Sequence, residues 1–107
     1  MNEPCFYRVS VKALIVDEAG KFLLARENDG TWDLLGGGLD HKENPVAALG
    51  REISEETGLV VTDVSSSPSY FVTAKKPNMD GVFMANVLYG VKVKDLHFTP
   101  SDECEEI

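Results

Sequence analysis

The stretch NPVAALGREISEETGL, Asn44 to Leu59, can fold into little other than a helix, and it stands among stretches that read as strands. Asn44 is suited to cap the first turn and Pro45 to occupy it, since proline lacks an N–H that the first turn would leave unbonded. Gly58 is a natural stop, because it enters the left-handed conformation without a Cβ penalty. These signals predict a helix over residues 45–57. Before it, YRVSVKALIVDEAGKFLLARE reads as a hairpin. Val9, Val11, Ala13 and Ile15 alternate with Arg8, Ser10 and Lys12, DEAG supplies the turn, and KFLLAR returns as a buried strand. ENDGTWDLLGGGLDHKEN is loop-rich, with a short strand around Trp32–Leu34. After the helix, LVVTDV, SYFVTAKK and GVFMANVLYGVKVK read as strands, the last two joined by the turn signal PNMDG. One helix among several strands within 107 residues predicts a single mixed α/β domain.

The helix carries an unusual charge pattern. At about 100° per residue, Glu56 and Glu55 fall roughly 40° and 60° to either side of Glu52, so the three share one face. Val46, Leu49 and Ile53 define the apolar stripe. The acidic face borders that stripe instead of opposing it, where repulsion is screened less than in open solvent. Arg51 neutralises part of the charge. A divalent cation would relieve the rest, and hard carboxylate oxygens suit Mg²⁺ or Mn²⁺ better than zinc. A plain charged face is the competing reading of the helix alone. Upstream, Gly36, Gly37 and Gly38 allow a turn, a bulge or a close backbone approach to a ligand.

The net charge of −8 argues against broad binding to nucleic acid or to an anionic membrane, because both need a basic footprint. It leaves phosphate substrates open if cations lie between the two. No apolar run approaches the roughly 18 residues of a membrane span, and the N-terminus has no secretion-signal pattern. Cys5 and Cys104 match no metal or redox spacing and read as reduced thiols of a cytoplasmic protein, with a disulfide joining the two ends as the minor reading.

Loop and helix together resemble the Nudix box, G-x5-E-x7-R-E-U-x-E-E-x-G-U with U a bulky apolar residue. Gly37, Glu43, Arg51, Glu52, Ile53, Glu55, Glu56, Gly58 and Leu59 meet its fixed positions at the required spacing. The resemblance implies a Nudix-like α/β/α sandwich around a mixed sheet. It implies Mg²⁺-dependent hydrolysis of a pyrophosphate bond in a nucleoside diphosphate linked to another moiety. It also implies that Glu52, Glu55 and Glu56 ligate the metal with help from a backbone carbonyl near Gly37, and that Arg51 orients the glutamates with Glu43 as its ion-pair partner. Glu52 is the first candidate for general base. Some members take the base from a loop after the box, a role open here to Glu103, Glu105 or Glu106. A Nudix-like domain that binds nucleotide or protein without catalysis is the rival reading, disfavoured by the intact glutamate set.

Two departures accompany the resemblance. Leu35 stands where the family often has proline, which bears on loop stiffness and not on ligation. The chain also lacks the strand and C-terminal helix that usually follow, so the domain is expected to be C-terminally truncated, with an apolar sheet face open to a homodimer. The box does not name the substrate, and capped RNA is among the family's substrates. Outside the box, Arg26 and Trp32, with Gly36 and Gly38, are candidate substrate contacts. A surface salt bridge for Arg26 and a core or loop-anchoring role for Trp32 compete with that. Tyr70 and Phe71 could stack on a base, although strand alternation already makes one of them core. Lys75 and Lys76 are a weak signal for phosphate steering.

Overall fold

The computed structural model describes residues 6–75, 81–101, 104, 106 and 107. The elements run β1 (Phe6–Leu14), β2 (Ala25–Arg26), β3 (Trp32–Asp33), β4 (Gly36–Gly38), α1 (Pro45–Thr57), β5 (Val61–Val64), β6 (Tyr70–Lys75) and β7 (Val82–Val93). They form a mixed five-stranded sheet in the order β4-β1-β7-β5, with β6 also pairing β7, and a separate β2–β3 ribbon. β1 and β7 are parallel, and the other sheet pairs are antiparallel. No helix among the described residues is long and apolar enough to cross a membrane.

The helix has the bounds its sequence predicts. The Asn44 side chain accepts from the Val46 and Ala47 N–H groups at 3.0 and 3.1 Å, which supplies partners for two of the otherwise unbonded donors of the first turn. Gly58 closes the helix at φ 72°, its N–H donating to the Ser54 carbonyl at 2.9 Å. Leu49 and Ile53 are fully buried against the sheet, each burial worth about 1.5–3 kcal/mol. They join Val11, Ala13, Leu35, Leu59, Tyr89 and Val91 in one core. Val46 departs from the predicted stripe and is 37% exposed. The later turns carry the packing instead, with Ala48 and Thr57 buried beside Leu49 and Ile53.

The predicted hairpin holds only at its tip. Asp17 accepts from the Ala19 and Lys21 N–H groups, and a single bridge joins Val16 to Phe22. KFLLAR does not continue as a buried strand, and Phe22 is exposed. The reason lies in what occupies the edge of β1: the glycine triplet. Gly36, Gly37 and Gly38 pair with Lys12, Val11 and Ser10, so the residues read as loop form β4. A Cβ on Gly36 would lie 2.0 Å from the Val11 carbonyl oxygen, and its φ is 144°. Only glycine can bring β4 this close.

β6 offers a second correction. Tyr70 and Phe71 are both exposed, so neither is core, and Lys75 is exposed as well. Lys76 and most of PNMDG lie outside the described residues. The C-terminal stretch docks: the Arg26 N–H donates to the Glu106 carbonyl at 2.8 Å, and Cys104 is buried in the core as a free thiol. Cys5 lies outside the described residues.

Candidate active site

From Ser10 to Ala13, β1 is buried on both faces. Val11 and Ala13 point into the apolar core. Ser10 and Lys12, which alternate with them, are also buried, although their polarity suggests a solvent-facing side. They line a cleft of about 410 Å³. β4 forms another wall with Gly36, Gly37 and Gly38, and α1 contributes Glu52 and Glu56. Glu27 and Asn28 enter from the loop after β2.

Gly37 sits against Glu52. A Cβ there would lie 3.1 Å from the Glu52 carboxyl carbon, so the backbone at Gly37 and the Glu52 carboxylate are in direct apposition. Arg51 braces the acidic face from outside the cleft. Its guanidinium reaches Glu43 at 3.0 Å, Glu55 at 3.3 Å and Glu52 at 3.4 Å. The hydrogen bond to Glu43, followed by the charge of Glu55, raises the Arg51 pKa. Glu55 lies with Arg51 and is not among the cleft's lining residues, its side chain being 59% exposed.

Glu43 closes the brace. Its carboxylate accepts from the Asp40 N–H at 2.8 Å and from Arg51, and these contacts, the Asp40 bond first, hold its pKa below the ordinary 4.5. A carboxyl depressed in the folded state contributes stability above the unfolded value, and that contribution is lost as pH falls through the folded value. Glu43→Gln should therefore melt below wild type by a constant margin above about pH 4.5, and the margin should close on further acidification. Thermal melting from pH 7 to pH 3 checks this, and a margin that widens in acid contradicts it.

The donors in the cleft fit a hard divalent cation: two partly buried carboxylates, Glu52 and Glu56, with the Gly37 backbone beside the first. Among the described residues, no three His, Cys, Asp or Glu side chains converge closely enough to hold one ion together. Glu55, the third box glutamate, pairs with Arg51 at 3.3 Å and does not line the cleft.

Of the other expected residues, Gly36 and Gly38 line the cleft and Gly58 caps the helix. Trp32 is brought to neither the cleft nor the core. It is 46% exposed, on a separate apolar groove with Phe22, Val93 and Leu96. The β2–β3 ribbon turns it there. Arg26 does not line the cleft either and pairs with Glu106 at 3.3 Å, the salt bridge foreseen as its competing role. Glu106 is thereby tied to Arg26, while Glu103 and Glu105 lie outside the described residues. Burial raises the Cys104 thiol pKa first, and the charges of Glu56 and Glu27 raise it further, so the thiol is poorly suited to act as a nucleophile. The sequence reading missed Ser10, Lys12, Glu27 and Asn28. The signal for the first two was polar residues alternating along a strand flanked on both sides.

The fold is of the mixed α/β class, one helix on a mixed sheet, with a glycine strand set against that helix's glutamates. A profile of the NUDIX domain matches residues 6–107, and the chain belongs to the Nudix family. A MutT-like protein from Streptomyces ambofaciens is 44% identical over 61 residues, covering 56% of this chain and 40% of that protein. An RNA pyrophosphohydrolase from Saccharophagus degradans is 40% identical over 60 residues, covering 54% of this chain and 35% of that protein. The matched stretch therefore spans well under half of either relative. Among solved structures, a MutT protein from Methanosarcina mazei Go1 superimposes with a TM-score of 0.74 at 27% identity, covering 98% of this chain and 77% of that one.

Proposed function

We propose that this chain hydrolyses a pyrophosphate bond in a nucleoside diphosphate linked to another moiety, with Mg²⁺ or Mn²⁺ as cofactor. The observation that carries this reading is the shared cleft of Gly37, Glu52 and Glu56, all three at box positions, with Arg51 and Glu43 bracing them. Glu52, Glu56 and the Gly37 backbone would hold the ion, with Glu55 available to it on release from Arg51. The ion, when bound, would screen the charge of the diphosphate and lower the pKa of a coordinated water.

The chain's own residues supply the rest. Glu52 is the proposed general base, because its carboxylate is only 20% exposed and faces the cleft beside Gly37. Arg51 fixes the Glu52 carboxylate from the far side and limits repulsion among the glutamates. The glycine strand offers backbone without side chains, so a phosphate group can approach closely. Net charge repels anionic substrates from the surface at large, so binding should depend steeply on the divalent cation.

The substrate is chosen by residues outside the box. The name of the Saccharophagus degradans relative supports including RNA with a 5′ pyrophosphate linkage among the candidates. A panel of nucleoside triphosphates, nucleotide sugars, dinucleoside polyphosphates and 5′-triphosphorylated RNA, run with Mg²⁺, with Mn²⁺ and with chelator, tests the reading. We expect at least one compound to be cleaved in a metal-dependent way. Binding without cleavage across the panel would favour a nucleotide-binding module instead.

A further inference from the structure

We propose that Lys12 is a substrate-binding residue, its ammonium reaching the phosphoryl oxygens of the diphosphate in the cleft. The inference deepens the reading above and rests on it: the cleft must receive a metal-bound diphosphate.

The first observation is burial. The Lys12 side chain is only 11% exposed, on an interior strand of the sheet where Lys12 pairs with Gly36 on one side and Leu88 on the other. Its counter-ion is Asp33, at 3.2 Å. Asp33 is 49% exposed, and its other oxygen accepts from the Leu34 N–H at 2.7 Å. A pair so open on one side contributes little stability, while withdrawing an ammonium from water is costly. The fold therefore gains little from placing a lysine here, and an apolar residue of the same length would serve the strand as well.

The second observation is position. Lys12 lines the cleft together with Glu27, Glu52 and Glu56, and it is the one cationic side chain among the described residues that do so. Its register partner on β4 is a glycine, which has no side chain to shield it from the cleft. A diphosphate carries more charge than the ion held by two carboxylates can offset, and its outer oxygens need a further donor. A lysine ammonium is a compact point charge with three rotatable donors, suited to phosphoryl oxygens whose orientation varies during the reaction. Asp33 holds it in place until a diphosphate takes it over.

Two structural explanations compete with this one. Lys12 could serve only as half of the pair with Asp33, or it could serve only to neutralise the cleft glutamates. Imidodiphosphate, whose P–N–P bridge resists hydrolysis, separates them when its binding is measured by calorimetry in saturating Mn²⁺, alongside Mn²⁺ affinity measured alone. Lys12→Met should weaken imidodiphosphate by about tenfold to a hundredfold, the worth of a charge-assisted hydrogen bond, and leave Mn²⁺ affinity within about threefold. Asp33→Asn should bind imidodiphosphate more tightly than wild type, because a competitor for the ammonium is gone. Lys12→Gln is read in the same way should the methionine variant fail to fold. Unaltered imidodiphosphate affinity in both Lys12 variants overturns the proposal. So does an equal loss in Asp33→Asn, which marks a structural pair, or a change confined to Mn²⁺, which marks neutralisation of the glutamates. Wild-type protein that does not bind imidodiphosphate also overturns it. Wild type that cleaves nothing yet binds imidodiphosphate through Lys12 leaves the inference standing and removes the hydrolase reading alone.

Discussion

Glu52→Gln is expected to lower pyrophosphate hydrolysis on the order of a thousandfold or more while the protein keeps its fold. The two halves of that result have separate causes. Glutamine matches glutamate in shape, so the half-buried position beside Gly37 stays filled. Arg51 retains Glu43 and Glu55 as partners, and one of the like charges on the helix face is removed. The melting temperature without metal should therefore hold within a few degrees or rise. What is lost is a negatively charged oxygen at the floor of the cleft, which the proposed mechanism uses both toward the ion and toward the attacking water. Rates on the best substrate of the panel, with melting curves of both proteins, check it. A variant that turns over normally would remove Glu52 from the chemistry.

The second large effect concerns adjacent glycines and should divide cleanly between them. Gly36→Ala places a Cβ on the Val11 carbonyl oxygen, 2.0 Å away, at a φ of 144° that an L side chain seldom adopts. β4 must leave β1 or the strand must shift, at a cost of roughly 3 kcal/mol or more. The melting temperature should fall by about 15 °C or more. Gly37→Ala meets no backbone. Its Cβ would press on the Glu52 carboxylate at 3.1–3.4 Å, so the side chain is pushed off its position while the strand stays in place. It should melt near wild type and lose activity by about tenfold to a hundredfold, the effect of a small displacement of a catalytic group. Thermal melts and rates on both variants decide the matter. Two variants with the same profile would mean that the triplet acts as one hinge and not as a strand with a site at its centre.

Much of this was legible in the chain because the signals were local. Asn44, Pro45 and Gly58 act within a turn of where they stand, and they fixed the helix bounds. Helical geometry put Glu52, Glu55 and Glu56 on one face, and the Arg51–Glu43 pair implied by the box is present at 3.0 Å. What failed depended on which distant segment occupies a sheet edge. KFLLAR has the composition of a strand, but the edge of β1 was taken by glycines whose lack of side chains allows the closer approach. Val46 follows the helical period yet stands in the first turn, where the sheet no longer covers it. Trp32 stands close ahead of the glycines in sequence, but the β2–β3 ribbon carries it to another groove. Lys12 was legible as a strand residue and illegible as a site residue, since its alternation with Val11 and Ala13 also describes a solvent-facing side. Glu55 was placed with the other two by helical geometry and by the box, and its pairing with Arg51 at 3.3 Å depends on a side-chain conformation that neither specifies.

Mn²⁺ titration of the wild-type chain against the Glu52→Gln, Glu56→Gln double variant tests whether the cleft between β4 and α1 holds a divalent cation through Glu52 and Glu56. Wild type should bind Mn²⁺ saturably and melt about 10 °C or more higher at a hundredfold excess over its Kd, as binding to the folded state alone requires. The double variant should show neither effect while still folding. Equal binding by both proteins, or no binding by wild type, would contradict the account.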